Sequence, residues 1–193
     1  MQFIRAIFIL ALIPICASVA AAQPAGPCPL KAAQIADAQE LYGFRLGMTI
    51  EQVKARVPKL VPGPTDPSGL MKTSFSPDFD PSMDKTPFQG VRTISLEFLD
   101  GRLTSLWIGY NKNFKWQALD EFVAGVSRAL GMPAAAAWGQ RSRGGRQLDC
   151  NDFQATALLI AGSPSLHLTD EAARSTWETR RSQAEEEQEA TEP

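Results

Sequence analysis

The chain has 193 residues, of which 19 are basic and 21 are acidic, so its formal net charge is −2. This length suits one domain, or two small half-domains that share a core. A near-neutral balance argues against general nucleic-acid binding, which needs a concentrated basic surface. The acidity is concentrated at the C-terminus, where residues 182–193 hold five glutamates and no basic side chain. We therefore expect residues 179–193 to form an acidic, disordered tail.

The N-terminus has the pattern of a secretory signal peptide. Arg5 supplies a positive n-region, and residues 8–15 form an apolar segment that is too short to span a bilayer. Three alanines at 20–22 then fit the small-x-small cleavage pattern. The sequence predicts a signal peptide over residues 1–22, cleavage before Gln23, and a periplasmic or secreted protein with no integral membrane span after cleavage. The alternative is an anchor that stays uncleaved.

Three cysteines bear on the compartment and on the fold. Cys16 follows Ile13-Pro14-Ile15, which lacks the small residue that a lipobox places before its cysteine, so lipid attachment there is disfavoured. The mature chain keeps Cys28 and Cys150. An even number in an oxidising space predicts a bridge between them. Its loop of about 120 residues would stabilise the fold by roughly 4–5 kcal/mol in the chain-entropy model. The alternative is two free thiols.

A short lead-in, residues 23–43, precedes the main domain, which we place at 44–178. The domain begins with a helix-start signal. Thr49 is a good N-cap, and Gln52 three residues later completes a capping box. Pro58 ends the helix and favours extended geometry at the residue before it.

Strand signals follow. Residues 70–76 have the composition of a strand, and residues 76–90 form a long loop with three prolines. Asp100-Gly101 then lies between two β-rich runs and predicts a hairpin turn. With these two as the turn residues, Phe98 lies opposite Leu103 and Ile94 lies opposite Trp107.

The second half repeats this order of elements. An apolar stripe at helical spacing predicts a helix that ends at Gly131: Leu119, Phe122, Val123, Val126 and Leu130. Strands are predicted at 146–161, as two short strands or one bent strand, and at 165–170, before a terminal helix that frays into the tail. The order predicts an α+β fold, with helices packed on an antiparallel sheet as two half-repeats.

Pieces of residues 44–58 and 94–138 resemble a known family. Leu46-Gly47-Met48-Thr49 with Val53 is similar to the helix start of β-lactamase-inhibitor-protein-like domains and of SmpA/OmlA-type outer-membrane assembly lipoproteins. The segments 98–103, FLDGRL, and 130–138, ending in Trp138, resemble the hairpin and the later step of that family. The resemblance implies an exported module with helices on an antiparallel sheet, whose other face can dock a protein. The absence of a lipobox departs from the lipoproteins.

The residues able to carry chemistry form weak patterns. His167 lies near Ser163, Ser165, Asp170 and Cys150, from which a Ser-His-Asp or Cys-His arrangement could be drawn, but no nucleophile elbow is present. Acidic residues at 78, 80 and 84 lack the glycine and later glutamate of an EF-hand loop, so no metal site is expected. The loop RSRGGR, 141–146, has side chains that could hold an anion but no P-loop lysine context.

These observations favour a non-enzymatic protein without a cofactor, which binds a protein partner in the envelope through its sheet face or the 76–90 loop. Trp107, Tyr110 and Trp138 are the natural anchors if one sheet face is uncovered. Two alternatives stand beside this reading. One is a small secreted hydrolase that uses His167, and the other is a structural module that maintains the envelope.

Overall fold

The computed structural model of the chain describes residues 28–81, 83–141 and 144–191. The predicted signal peptide, its cleavage before Gln23 and Cys16 lie outside the described residues. Within those residues, no helix is both long enough and apolar enough to cross a membrane.

The described part of the chain contains three α-helices and one seven-stranded antiparallel sheet, besides four short 3-10 helices. In chain order the elements are α1 (Ile50–Arg56), β1 (Leu70–Phe75), β2 (Val91–Leu99), β3 (Arg102–Tyr110), α2 (Leu119–Leu130), β4 (Gly139–Arg141), β5 (Gly145–Asp149), β6 (Phe153–Ile160), β7 (Ser163–Asp170) and α3 (Glu171–Thr191). The strands lie in the order β1-β2-β3-β7-β6-β5-β4. The predicted α+β class, with helices packed on an antiparallel sheet, is confirmed.

One face of the sheet, here called the core face, carries the hydrophobic core beneath α1 and α2. Because side chains alternate along a strand, every second residue of the central strands faces this side. α2 contributes the predicted stripe, in which Phe122, Val123, Val126 and Leu130 are buried. The helix ends at Gly131, whose φ of 68° is a left-handed conformation that a glycine adopts without strain.

The start of α1 is fixed to the sheet as well as capped. The side chain of Thr49 accepts a hydrogen bond from the amide of Gln52, and the side chain of Gln52 accepts one from the amide of Thr49, which confirms the capping box. The preceding residues pair with β3, because the Gly47 amide donates to the Leu103 carbonyl and the Leu103 amide donates to the Met48 carbonyl. The Gly-Met-Thr stretch therefore joins the helix start to a central strand.

The β2–β3 hairpin has the predicted turn but not the whole predicted register. Asp100 and Gly101 have φ values of 50° and 75°, as a tight two-residue turn requires, and Phe98 lies opposite Leu103. A β-bulge between Glu97 and Phe98 then shifts the pairing. Ile94 therefore lies opposite Ile108 and not opposite Trp107, so the predicted pairing of Ile94 with Trp107 was wrong.

The disulfide between Cys28 and Cys150 is confirmed, with Cα atoms 4.4 Å apart and a sequence separation of 122 residues. It ties the lead-in segment to the turn between β5 and β6. The Asn151 amide also donates to the Leu30 carbonyl, and the Ala36 amide donates to the carbonyl of Leu130 at the end of α2. Residues 28–43, expected to be a lead-in, are thus packed onto the body of the domain.

The C-terminal segment agrees with one prediction and differs from another. α3 runs without interruption from Glu171 to Thr191, so the predicted terminal helix is confirmed, while residues 179–191 are helical where we also expected a disordered tail. Glutamate, alanine, glutamine and arginine, which make up most of this segment, are strong helix formers. Their helical propensity accounts for the continuation.

Candidate binding face

The face of the sheet opposite the core face, here called the outer face, is ordered into rows by the strand register. The near row lies beside α3 and contains Lys72, Glu97, Ser105, Thr169, Gln154 and Asp149. The middle row contains Ser74, Ser95, Trp107, His167, Thr156 and Gln147. The far row contains Thr93, Gly109, Ser165, Leu158, Gly145 and Arg141.

α3 lies across the near row, where it lines a cleft with Glu97, Ser105, Thr169 and Gln154, and it reaches His167 and Thr156 of the middle row. We call the remainder, Ser95 and Trp107 with the far row and Ile160, the open face. Two large apolar side chains lie flat over glycines there. A Cβ built on Gly109 would be 2.8 Å from Cη2 of Trp107, and one built on Gly145 would be only 2.3 Å from Cδ2 of Leu158. Ile160 follows on the same side of β6 and is 40% exposed. The open face therefore has an apolar centre on a flat backbone.

Charged side chains are sparse on the open face. The middle row has no acidic or basic residue apart from His167, and the far row has only Arg141, on the edge strand β4. Hydroxyl groups surround the apolar side chains instead, and those of Ser76 and Thr93 lie 2.9 Å apart at one corner. An apolar centre, hydroxyl groups around it and few charges are also the composition found at protein-recognition surfaces.

A cleft of about 180 Å³ lies between α3 and the near row. At its floor, Ser105 Oγ is 2.8 Å and Thr169 Oγ1 is 3.2 Å from Nε2 of His167. Both hydroxyls approach one ring nitrogen. Among the described residues, no carboxylate accepts a hydrogen bond from Nδ1 of His167. These three side chains thus form a hydrogen-bonded group without a complete charge-relay arrangement.

His167 is held in its neutral form. Burial lowers its pKa below the ordinary value, and the nearby cations Arg141 and Arg174 lower it further. Glu97 acts in the opposite direction. Because burial is the largest of these effects, the imidazole stays uncharged at neutral pH and adds no charge to the outer face.

The three predicted anchors lie in different environments. Trp107 is half-buried on the outer face, as an anchor must be. Tyr110 is fully buried on the core face, where its hydroxyl donates to the Glu40 carbonyl. Trp138 is 4% exposed, and its indole donates to the hydroxyl of Ser127. The prediction was therefore wrong for Tyr110 and Trp138, which are core residues unavailable to a partner.

The 76–90 loop begins at the corner of the open face. Ser76 follows β1, and Phe79 three residues later is 75% exposed, which makes it one of the most exposed large apolar side chains among the described residues.

In the basic loop 141–146, the guanidinium of Arg146 donates to the carboxylate of Asp120 on α2, with N···O distances of 3.2 and 2.8 Å. Arg143 lies outside the described residues.

Leu158 and Ile160 were missed as candidate residues. Their signal was the run ALLI at the end of β6, in which apolar residues occupy both alternating sides of a strand. Such a run indicates that one side carries apolar residues outside the core.

Within the described residues, no three His, Cys, Asp or Glu side chains lie close enough to hold a metal ion. No protein-family model, no curated protein and no solved structure matches this chain.

Proposed function

We propose that this chain is an exported, non-enzymatic module that binds a protein partner of the cell envelope through its open face. The observation that carries the proposal is the pair Trp107 and Leu158, which lie flat over glycines on a sheet face that α1 and α2 leave uncovered. Tryptophan is the residue most typical of binding hot spots, and it is most effective where surrounding groups exclude water. The disulfide fits an oxidising compartment outside the cytoplasm.

The chemistry of the open face favours a protein over a charged ligand. Nucleic acids and anionic lipids need clustered cations, and here Arg141 is the one cation of the far row. Serine and threonine hydroxyls can both donate and accept, so they adapt to the backbone groups of a partner. The resemblance to β-lactamase-inhibitor-protein-like domains, in which the sheet face can dock a protein, agrees with this proposal.

The test separates the open face from the 76–90 loop. Trp107→Ala removes the central anchor, and Phe79→Ala removes the exposed large apolar side chain of the loop. The partner is first captured by crosslinking in the native cells, and its affinity for each purified variant is then measured by calorimetry. We expect Trp107→Ala to weaken binding at least 30-fold, about 2 kcal/mol, and Phe79→Ala to weaken it less than fivefold. A larger loss of affinity in Phe79→Ala than in Trp107→Ala would show that the partner binds the loop instead. An unchanged affinity in both variants would reject the proposal.

A small hydrolase is the second candidate, because Ser105 Oγ lies 2.8 Å from His167 Nε2 beside a cleft. Two features weigh against it. Ser105 lies within β3 and is paired with β2 and β7 on both sides, so its neighbouring amides are not placed to stabilise an oxyanion. The second hydroxyl, from Thr169, occupies the same ring nitrogen.

The hydrolase is tested with a panel of activated esters and with two variants, Ser105→Ala and His167→Ala. Turnover that both variants abolish, while their thermal unfolding stays cooperative, would establish the hydrolase and displace the binding proposal. We expect no ester turnover that depends on Ser105.

A further inference from the structure

We propose that α3 is a displaceable strap, which covers the near row and releases it when a partner engages the outer face. This inference rests on the proposed function, because it concerns the regulation of the same face. Its structural basis is the contrast between α3 and the helices of the core face. It also depends on the few contacts that hold α3 in place.

α3 packs with little apolar surface. None of its residues from 171 to 187 is buried, whereas α2, with 12 residues, buries six of them. Trp177 is the one large apolar residue in the α3 sequence; the other apolar residues are alanines. Hydrophobic stabilisation scales with the apolar area removed from water, so the docking of α3 is much weaker than that of α2.

The surface beneath α3 is polar. Ser105, Thr169 and Glu97 lie under it, and a cleft remains between helix and sheet. Two buried side-chain atoms have no hydrogen-bond partner among the described residues, and both belong to α3: Oε1 of Glu171 and Nε1 of Trp177. A buried polar atom without a partner costs free energy that hydration restores. Release of α3 therefore recovers part of what its docking costs.

One exposed ion pair anchors the middle of α3. Arg180 donates to both carboxylate oxygens of Asp100, at 2.9 and 2.8 Å, and to the carbonyl of Ser68 at 3.3 Å. The side chains of Arg180 and Asp100 are 40% and 60% exposed. Because water and salt screen exposed pairs, this contact holds α3 at the β2–β3 turn without locking it there.

α3 can leave the sheet as a helix. The Ala173 amide is capped by the carboxylate of Asp170, the last residue of β7, and the Glu171 amide donates to the Asp152 carbonyl, so the first turn stays attached to the sheet and the pivot lies at this junction. Arg181 and Glu185 form an i,i+4 pair at 2.7 Å. A release would expose the near row and join it to the open face, giving a continuous surface across β1 to β6.

The test uses the full mature chain and needs no partner. Arg180→Glu replaces the anchor by a like-charge repulsion, and Asp100→Asn removes the charge of the other partner while keeping a residue that tolerates the left-handed turn. Arg128→Glu is the matched control, since Arg128 is exposed on α2 on the opposite side of the sheet. Two rates are measured: amide hydrogen exchange in residues 174–185, and modification by diethylpyrocarbonate of His167, which lines the cleft and is the one histidine of the sequence.

We expect both rates to rise about two- to fivefold in Asp100→Asn and further in Arg180→Glu. In Arg128→Glu both rates should equal those of the unsubstituted protein. Raising the salt concentration to about 1 M should reproduce the Asp100→Asn effect in the unmodified protein, because it screens the pair. The amides of β3 and β7 serve as the folding control and should stay protected. Unchanged rates in both variants would show that α3 is a fixed part of the fold. That result would leave the binding proposal standing.

Discussion

Trp107 owes its position to the absence of a side chain at Gly109. With any larger residue there, a Cβ would lie 2.8 Å from the indole, closer than real Cβ contacts allow. The indole would have to lift off the sheet. The anchor of the proposed binding face therefore depends on a glycine two residues away in the same strand.

We predict that Gly109→Ala displaces Trp107 and lowers stability by about 1–3 kcal/mol, the usual cost of overpacking. The matched control is Gly139→Ala on β4, where the nearest atom to a built Cβ, the Gln147 carbonyl oxygen, is 3.7 Å away. Urea unfolding measures both variants. Equal stability losses in the two would contradict the claim that Trp107 needs Gly109.

His167 gives a second prediction, on pH dependence. Its pKa is lowered in the folded protein, mainly by burial, from an ordinary value near 6.5. As the pH falls through that ordinary value, the unfolded chain takes up a proton first, so the folded state loses stability. His167→Gln keeps a hydrogen-bonding side chain but cannot titrate, so its unfolding free energy should fall less as the pH is lowered. We would measure the unfolding free energy of both proteins from about pH 8 to about pH 5. If the unfolding free energies of the two proteins changed with pH in the same way, the pH dependence could not be assigned to His167.

At the scale of the elements, α1 depends on its cap more than the other helices do. It has seven residues, too few to be stable alone, and one buried residue, Val53. Thr49→Ala should cost about 1 kcal/mol, because the amide of Gln52 loses its acceptor, while Thr49→Ser should retain most of it. Thermal unfolding of the two variants checks this. A loss in Thr49→Ser as large as that in Thr49→Ala would show that the methyl group, not the hydroxyl, matters.

The elements that local signals specify could be predicted from the sequence. Thr49 with Gln52 fixes the start of α1, the stripe from Leu119 to Leu130 fixes α2, and Asp100-Gly101 fixes the hairpin turn. Each signal involves residues a few positions apart, so no knowledge of the rest of the fold is needed. The same holds for the strand after Gly69.

The misses have non-local causes. The bulge after Glu97 depends on pairing with strands on both sides, so the register of Trp107 could not be read from the hairpin alone. The burial of Tyr110 and Trp138 depends on which sheet face the helices cover. β4 has three residues and forms only because β5 pairs with it. The candidate site was the feature predicted least well from the sequence, since its position depends on all of these contacts.

At the scale of the whole molecule, the disulfide joins the N-terminal segment to the second half of the sheet. Cys28 is buried in the core and Cys150 lies just after β5, so the bond closes a loop spanning most of the domain. The double substitution Cys28→Ser with Cys150→Ser should lower the free energy of unfolding by roughly 2–5 kcal/mol under non-reducing conditions. Calorimetry of the unsubstituted protein and the double variant, both without reductant, measures it. An unchanged melting temperature would show that the bridge contributes no stability.

The claim that the open face binds a protein is tested most directly by site-specific photo-crosslinking in the native cells. A photoreactive amino acid is placed at Ser95, beside Trp107 on the outer face, and in a second strain at Arg128 on α2. We predict that position 95 captures one dominant protein, that position 128 does not, and that Trp107→Ala abolishes the product at position 95. Equal capture at both positions, or capture at position 95 that survives Trp107→Ala, would contradict it.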